Sequence, residues 1–461
     1  MRPLLKLCSL LSLPSLALLV GGCGSSGSNR VGTNAQTITF DNPGTQTAGT
    51  SLMLSAQASS DAVVTLTSAT PGVCTVSGTT ATFATPGTCT IDASQPGDST
   101  YAAASQVAQS FTVNPAIGPT TTVYIAGYAF PPAPSPAFDV AEVWQLTSGN
   151  PTGAATALPM PSGMTSSQAY AIAVSGSDMY VAGYAGNSTG RVAVLWVNGV
   201  ATILPSSMTS SEAGAIAVSG GNVYVTGAAW NSADSGTAVL WVNGTATTLA
   251  PPSGKAYAQA GAIAVSGNDV YVTGIAWNTD SDESAVLWVN GAVTLLPAPS
   301  GLTGDYWASG IAVSGGNVYM SGTTSPDVGN DTAISWVNGG TATTLLIPSN
   351  DTTQSYGALA TAVLGNDVYV VGSGVSGATG NTTAAYWLNG KATTLPLPTN
   401  TTASPGVSYA DGIGFSGSDV YMVGSSGQSA AYWVNGGAGT LLPMPSGMAY
   451  SNVGAIAVAT Q

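Results

Sequence analysis

The chain has 461 residues, of which 6 are Lys or Arg, 20 are Asp or Glu and none is His, giving a formal net charge of −14 at pH 7. Charged side chains make up 6% of the chain, against about a quarter in an average soluble protein. Cations this sparse cannot grip a polyanion by counterion release, so no nucleic-acid partner is expected. Hydrophobic residues at 44% leave ample material for a core.

Met1 to Cys23 carries Arg2 and Lys6, an apolar run from Leu10 to Val20 broken by Pro14, and then Val20-Gly21-Gly22-Cys23. The run is too short to span a bilayer and ends in small residues, so residues 1–22 read as a signal peptide. The small-small-Cys ending resembles the lipobox of bacterial lipoproteins. That resemblance implies cleavage before Cys23, lipidation of Cys23, and attachment to a membrane through more than one acyl chain. It also implies a place in the bacterial cell envelope, facing the periplasm or the exterior. Gly24 in place of Asp after the cysteine implies release to the outer membrane in a cell that has one. An ordinary secretory signal with an incidental cysteine is the alternative. Residues 23–36, rich in Gly and Ser, then form a flexible tether after the lipidated Cys23. Cleavage removes Arg2 and Lys6 but no acid, so the mature chain is more acidic than its precursor.

Residues 37–116 alternate short β-rich runs with turn residues: Thr37-Ile-Thr-Phe40, Ser51-Leu-Met-Leu-Ser55, Val63-Val-Thr-Leu66, Cys74-Thr-Val, Ala81-Thr-Phe, Cys89-Thr-Ile and Ser110-Phe-Thr-Val113. This pattern predicts a small β-sandwich. Cys74 and Cys89 are the cysteines left once Cys8 is cleaved off and Cys23 is acylated, and in an exported protein they predict a disulfide. The segment resembles the bacterial immunoglobulin-like repeats of cell-surface proteins in Gln36-Thr-Ile-Thr-Phe40, in the two cysteine strands and in the closing Ser110-Phe-Thr-Val113. The resemblance implies a stalk or spacer.

Residues 117–461 repeat one pattern: a strand like Ala262-Ile-Ala-Val265, a Ser-Gly-Asn-Asp269 turn, Val270-Tyr-Val-Thr-Gly274, a variable loop, Ala285-Val-Leu-Trp-Val-Asn-Gly291, and Thr294-Leu-Leu-Pro297. Second-strand tyrosines recur at Tyr124, Tyr180, Tyr224, Tyr271, Tyr319, Tyr369 and Tyr421. Third-strand tryptophans recur at Trp144, Trp196, Trp241, Trp288, Trp336, Trp387 and Trp433. Four strands per repeat predict an all-β, seven-bladed β-propeller of four-stranded blades after the sandwich. The chain enters at Val123-Tyr-Ile-Ala126, a second strand without a first, and leaves at Ala455-Ile-Ala-Val458, a first strand without a second. Pairing of these terminal strands would close the ring and remove an edge. The layout resembles kelch-type propellers, but has one glycine where that family has a pair and sets Trp directly before Val/Leu-Asn-Gly.

In such a meander the tight turns share one face, and the variable loops and crossovers share the other, where binding residues concentrate. The repeat Tyr and Trp side chains are expected to pack blade on blade. Phe130, Trp230, Trp277, Tyr306 and Trp307 fall outside that role, on the loop face, among Asp234, Asp280, Asp282, Glu283, Asp305 and Asp331. These aromatics are the candidate ligand-binding residues, for a glycan or an envelope protein; folding down to cap their own blades is the alternative. The runs Asn278–Glu283 and Asp327–Asp331 have oxygen ligands but not the ordered spacing of a calcium loop, and read as solvated acidic loops. No metal or cofactor is expected.

With no His, Ser/His/Asp and Cys/His nucleophilic mechanisms cannot be assembled. No catalytic residue is assigned, and the chain is expected not to be an enzyme. The alternatives to a binding protein are a passive structural protein of the envelope and a two-carboxylate glycoside hydrolase, in which Glu142, Glu212 and Glu283 would lie in different blades.

Overall fold

The computed structural model describes residues 33–116, 121–132, 138–147, 150–231, 235–278, 283–301, 304–326, 330–346, 355–375, 381–398 and 407–460. The signal peptide, Cys23, Asp234, Asp280 and Asp282 lie outside the described residues, and all described secondary structure is β.

Two sheets sharing one core build the first unit. Gln46–Thr47, Val107–Asn114, Gly87–Ser94 and Thr65–Ser68 form one, and Ser51–Met53, Thr80–Phe83 and Cys74–Ser77 the other, with Ile38–Phe40 paired to Ala56–Ala58 beside them. Phe83, Ile91, Phe111, Cys74 and Cys89 are buried between them, with Phe83 edge-on to Phe111 at 5.8 Å. The Cys74–Cys89 disulfide forms as expected, with Cα atoms 5.7 Å apart. It joins strands of different sheets, so the crosslink runs through the core. The run expected at Val63–Leu66 starts later, at Thr65: Asp61 takes a positive φ of 59° in the preceding turn, and Val63 is left 86% exposed.

From Thr121 onward the strands form a series of four-stranded antiparallel sheets. Ser166–Ser175, Asp178–Asn187, Gly190–Val197 and Val200–Ile203 make the first simple meander, and the pattern recurs through residues 210–249, 257–295, 304–344, 355–394 and 408–441. One sheet is composite: Asn150–Ala157, Val140–Thr147 and Thr121–Phe130 are completed by Tyr450–Thr460. Val123 pairs with Val458 and Ala126 with Ala455, so strands from the two ends of this region share one sheet. The innermost strands pack side by side, and Tyr450–Thr460 lies against both Ser408–Ser416 and Ser166–Ser175. The ring is closed around a central axis, which is the architecture of a β-propeller.

Every repeat tryptophan is buried and welds its sheet to the preceding one. Trp196 donates its indole N–H to the Pro159 carbonyl at 2.7 Å, Trp241 to Pro205 at 2.7 Å, Trp288 to Ala250 at 2.8 Å and Trp336 to Pro297 at 2.9 Å. Trp387 and Trp433 repeat this on Leu346 and Pro396, and Trp144 reaches the Pro443 carbonyl at 2.9 Å to make the closing contact. In five of the seven the acceptor is the proline after the buried Leu that ends the neighbouring repeat, and Ala250 and Leu346 take that place in the other two.

The Asn-Gly pairs build one face. Asn198, Asn243, Asn290, Asn338, Asn389 and Asn435 take φ of 49° to 54°, each followed by a positive-φ glycine, as a type I′ turn requires. Asn198 Oδ1 accepts the Met179 N–H at 2.8 Å, and its Nδ2 donates to Asp178 Oδ1 at 2.8 Å. The other five asparagines repeat both bonds on the matching Asn or Asp of the first hairpin. In these six sheets both tight turns are therefore tied together at one end, and the variable loops occupy the other.

Candidate binding cavity

A single irregularity per repeat makes the inner wall. Along each innermost strand the register slips once, at Tyr170, Gly214, Gly261, Ser309, Leu359, Asp411 and Gly454. A bulge of this kind re-aims one residue out of the regular alternation. The repeat glycine opposite makes room for it: a Cβ on Gly227 would lie 2.0 Å from the Glu212 carbonyl oxygen, and one on Gly424 would lie 2.0 Å from that of Tyr409. That close approach accounts for the single glycine in Val-Tyr-Val-Thr-Gly. Gly227→Ala is accordingly expected to cost at least about 1–3 kcal/mol, since backbone rather than a movable side chain must give way. A urea-unfolding midpoint equal to that of the unsubstituted protein would refute this.

The bulged residues line a cavity of about 700 Å³ on the propeller axis. Its walls are largely Ala, Gly and Ile, including Ile172, Ile216, Ile263, Ile413 and Ile456, and it extends to Gly274, Ile275 and Glu283 beside the innermost strands. Six polar or aromatic side chains give it character: Tyr170, Gln259, Glu283, Trp307, Ser309 and Asp411. No Lys or Arg lines it. Burial pushes the Asp411 carboxyl from 3.8 up to about 7. Glu283 is also raised, by burial first and then by the charge of Asp305, whose Oδ1 accepts the Glu283 backbone N–H at 2.8 Å. The Tyr170 hydroxyl donates to Gln168 Oε1 at 2.7 Å, and burial holds its phenol above the ordinary range. Beside it, the Tyr184 ring lies under Arg191, whose Cζ sits 4.6 Å from the ring centroid, and Arg191 pairs with Glu212 at 3.3 Å.

Of the aromatics singled out from sequence, Trp307 lines this cavity. Its neighbour Tyr306 turns into the core beside Leu296 and donates its hydroxyl to the Leu296 carbonyl at 3.1 Å. Phe130 stacks on Tyr450 at 4.7 Å across the closing pair of strands, and Trp277 lies 6.0 Å from Tyr257 with its ring over Gly236. Trp230 is partly exposed at the end of its strand, paired with Ser210. Trp230 pairs in register with Gly236, the residue under the Trp277 ring, so these two lie together, while Trp307 faces the cavity, Tyr306 the core and Phe130 the closing strands. Asn278, first residue of an acidic run, pins its own crossover: its Oδ1 accepts the Ala256 N–H and its Nδ2 donates to the Gly254 carbonyl, each at 3.0 Å. Among the described residues no group of three or more acidic, His or Cys side chains is placed to hold a metal.

Asp411 was missed by residue-type reasoning, which looked for carboxylates in loops. Aligning the repeats on Ala-Ile-Ala reveals it: Gly214, Gly261, Ser309, Leu359 and Gly454 occupy the position that Asp411 fills with a charge.

No protein-family model and no curated protein sequence matches the chain. Solved structures do. TolB from Acinetobacter baumannii is 14% identical with a TM-score of 0.38, over 73% of this chain and 83% of that one. The β-propeller domain of the Trilobed protease from Pyrococcus furiosus is 11% identical with a TM-score of 0.40, over 71% and 95%. The acylaminoacyl peptidase of Pyrococcus horikoshii is 11% identical with a TM-score of 0.41, over 70% of this chain and 51% of that one. The second of these is by its own description a β-propeller. At these identities the likeness is one of fold. One expectation is corrected: the structures this chain is similar to include a propeller domain of a protease and a peptidase, so the expectation that the chain is not an enzyme does not stand.

Proposed function

We propose that this chain is an exported protein of the bacterial cell envelope, lipid-anchored through Cys23, in which an Ig-like unit spaces a seven-bladed, kelch-like propeller whose loop-side cavity binds a glycan or a protein segment. The observation that carries the binding reading is the cavity of about 700 Å³ on the axis, largely apolar-walled, with Trp307, Tyr170, Gln259, Ser309, Glu283 and Asp411 as its few polar and aromatic groups. Its size and lining match those of small-ligand sites. The lipobox-like ending at Cys23 and the disulfide at Cys74 and Cys89 support export and an oxidising compartment.

A glycan and envelope-protein binding screen of the chain from residue 24 onward tests this. Binding is expected to fall at least tenfold in Trp307→Ala and to change little in the Trp230→Ala/Trp277→Ala double variant. Loss only in the double variant would move the site to the rim. Silence across the panel would favour a structural role in the envelope, to which the Phe130–Tyr450 stack and the Trp277–Tyr257 contact already lend support. Hydrolysis products from any panel glycan would point to two-carboxylate chemistry in the same cavity.

A further inference from the structure

We infer that the axial cavity takes its ligand through a protonated amine, with Asp411 as counter-carboxylate and the Trp307 and Tyr170 rings beside it. The inference rests on the propeller being a binding module and specifies the chemistry that the module selects.

Around the ring of bulged positions, Asp411 stands among Tyr170, Gly214, Gly261, Ser309, Leu359 and Gly454, so the wall presents one charge at that level. No hydrogen bond or ion pair engages the Asp411 side chain among the described residues. The strands packed against Ser408–Ser416, namely Ser355–Leu364, Asp367–Val375, Thr382–Leu388, Asp419–Ser426 and Tyr450–Thr460, bring Tyr356, Asp367, Tyr369, Tyr386, Asp419, Tyr421 and Tyr450 as titratable groups and no cation. Burial is the one cause of its shift, whereas the second cavity carboxyl, Glu283, also feels Asp305. Asp411 is half-buried in the wall, and a carboxylate drawn out of water without a partner carries a cost that is offset either by a proton or by a cation brought from outside.

The cation's chemistry follows from the walls. A calcium or magnesium ion needs about six or more oxygens, whereas the oxygen-bearing side chains of the wall are Asp411, Glu283, Gln259, Ser309 and Tyr170, and among the described residues no three acidic groups stand together. An ammonium group on an alkyl stem suits the same walls: the stem lies against Ile172, Ile216 and Ile413, the charge meets Asp411, and an aromatic face within reach adds cation–π attraction. An anionic ligand meets two carboxyls and no base. Free alkylamines and the side chain of a lysine residue share this chemistry.

Calorimetric titration of the chain from residue 24 onward at pH 8 separates these sources, with n-butylammonium chloride, the size-matched neutral alcohol n-butanol and a short peptide with one internal lysine as probes. The amine is expected to bind at least tenfold more tightly than the alcohol, and Asp411→Asn to abolish that preference while the melting transition is kept. At pH 5.5 the preference is expected to shrink as Asp411 takes up a proton, with Glu283→Gln reporting the share due to the other cavity acid. Binding of the peptide but not of butylammonium would assign the amine to a protein partner. Equal affinity for amine and alcohol, or an amine preference that survives Asp411→Asn, overturns the inference. If a glycan or protein from the screen above still binds and Trp307→Ala still weakens it, the binding reading stands without the amine; if no probe and no panel member binds, both fall.

Discussion

Trp144→Ala is expected to lower stability by about 3–5 kcal/mol, the range for removing a fully buried aromatic side chain. Trp144 is 0% exposed, and its indole N–H bonds to the Pro443 carbonyl, a partner 299 residues away in the chain. Bringing together groups so far apart costs roughly 5 kcal/mol of chain entropy, which local contacts elsewhere in the ring do not have to overcome. Trp288, by contrast, meets Ala250 only 38 residues back. Both substitutions leave a similar hole, but the one at the seam also releases the composite sheet in which Thr121–Phe130 pairs with Tyr450–Thr460. Urea unfolding followed by circular dichroism should therefore show Trp144→Ala as the more damaging of the two. Trp144→Phe, which keeps the apolar bulk but strands the Pro443 carbonyl, should fall between alanine and the unsubstituted protein, at about 1–3 kcal/mol. A Trp144→Ala midpoint no lower than that of Trp288→Ala would refute the special standing of the seam.

The ring was legible in the sequence because its determinants are local and repeated. Val-Tyr-Val strands, Asn-Gly turns and one Trp per repeat each answer a near-neighbour requirement, such as the positive φ at Asn243 and Gly244, and repetition multiplies the signal. The unmatched strands at Val123 and Val458 even predicted their pairing. The site was legible only in part. Whether a loop-side aromatic faces a ligand or its own sheet depends on which neighbour it meets, and Phe130 meets Tyr450, which lies at the far end of the chain. Tyr306 and Trp307 differ by one step of strand alternation, which sends one into the core and the other to the cavity. The decisive feature for Asp411 is a bulge, one residue out of register, and a pattern of period two offers no cue to where alternation breaks. The repeat glycine was the available cue, since it marks the strand opposite every bulge.

Between pH 5 and pH 8 the protein is expected to lose stability rather than gain it. Two carboxyls lead this, Asp411, raised from 3.8 to about 7, and Glu142, raised from 4.5 to about 7, in both cases by burial, and Glu283, raised by burial and by Asp305, adds a smaller share in the same direction. Glu142 is 3% exposed and pairs opposite Gly127, where the other sheets set Val194, Val239, Val286, Ile334, Ala385 or Ala431 opposite their own repeat glycine. Two residues from Trp144 on the same strand, it shares the face turned to the seam. Unfolding returns both groups to ordinary carboxyl values, so between about pH 4 and pH 7 the folded state holds the more protons, and stability falls as pH rises through that window. The loss is on the order of 2–4 kcal/mol for each group. Asp98 works in the opposite sense: its carboxylate accepts the Thr100 and Tyr101 N–H groups and is lowered, so its contribution is lost only below the ordinary carboxylate range, outside this window. Thermal melts at pH 5, 6.5 and 8 should show a falling transition temperature, flattened in part by Glu142→Gln or Asp411→Asn and almost wholly by the pair. Because the two sites are independent, with one in the cavity and the other at the seam, a saturating amine should restore stability at pH 8 in Glu142→Gln but not in Asp411→Asn. Transition temperatures that rise from pH 5 to pH 8 would mean that neither carboxyl carries its proton into the neutral range.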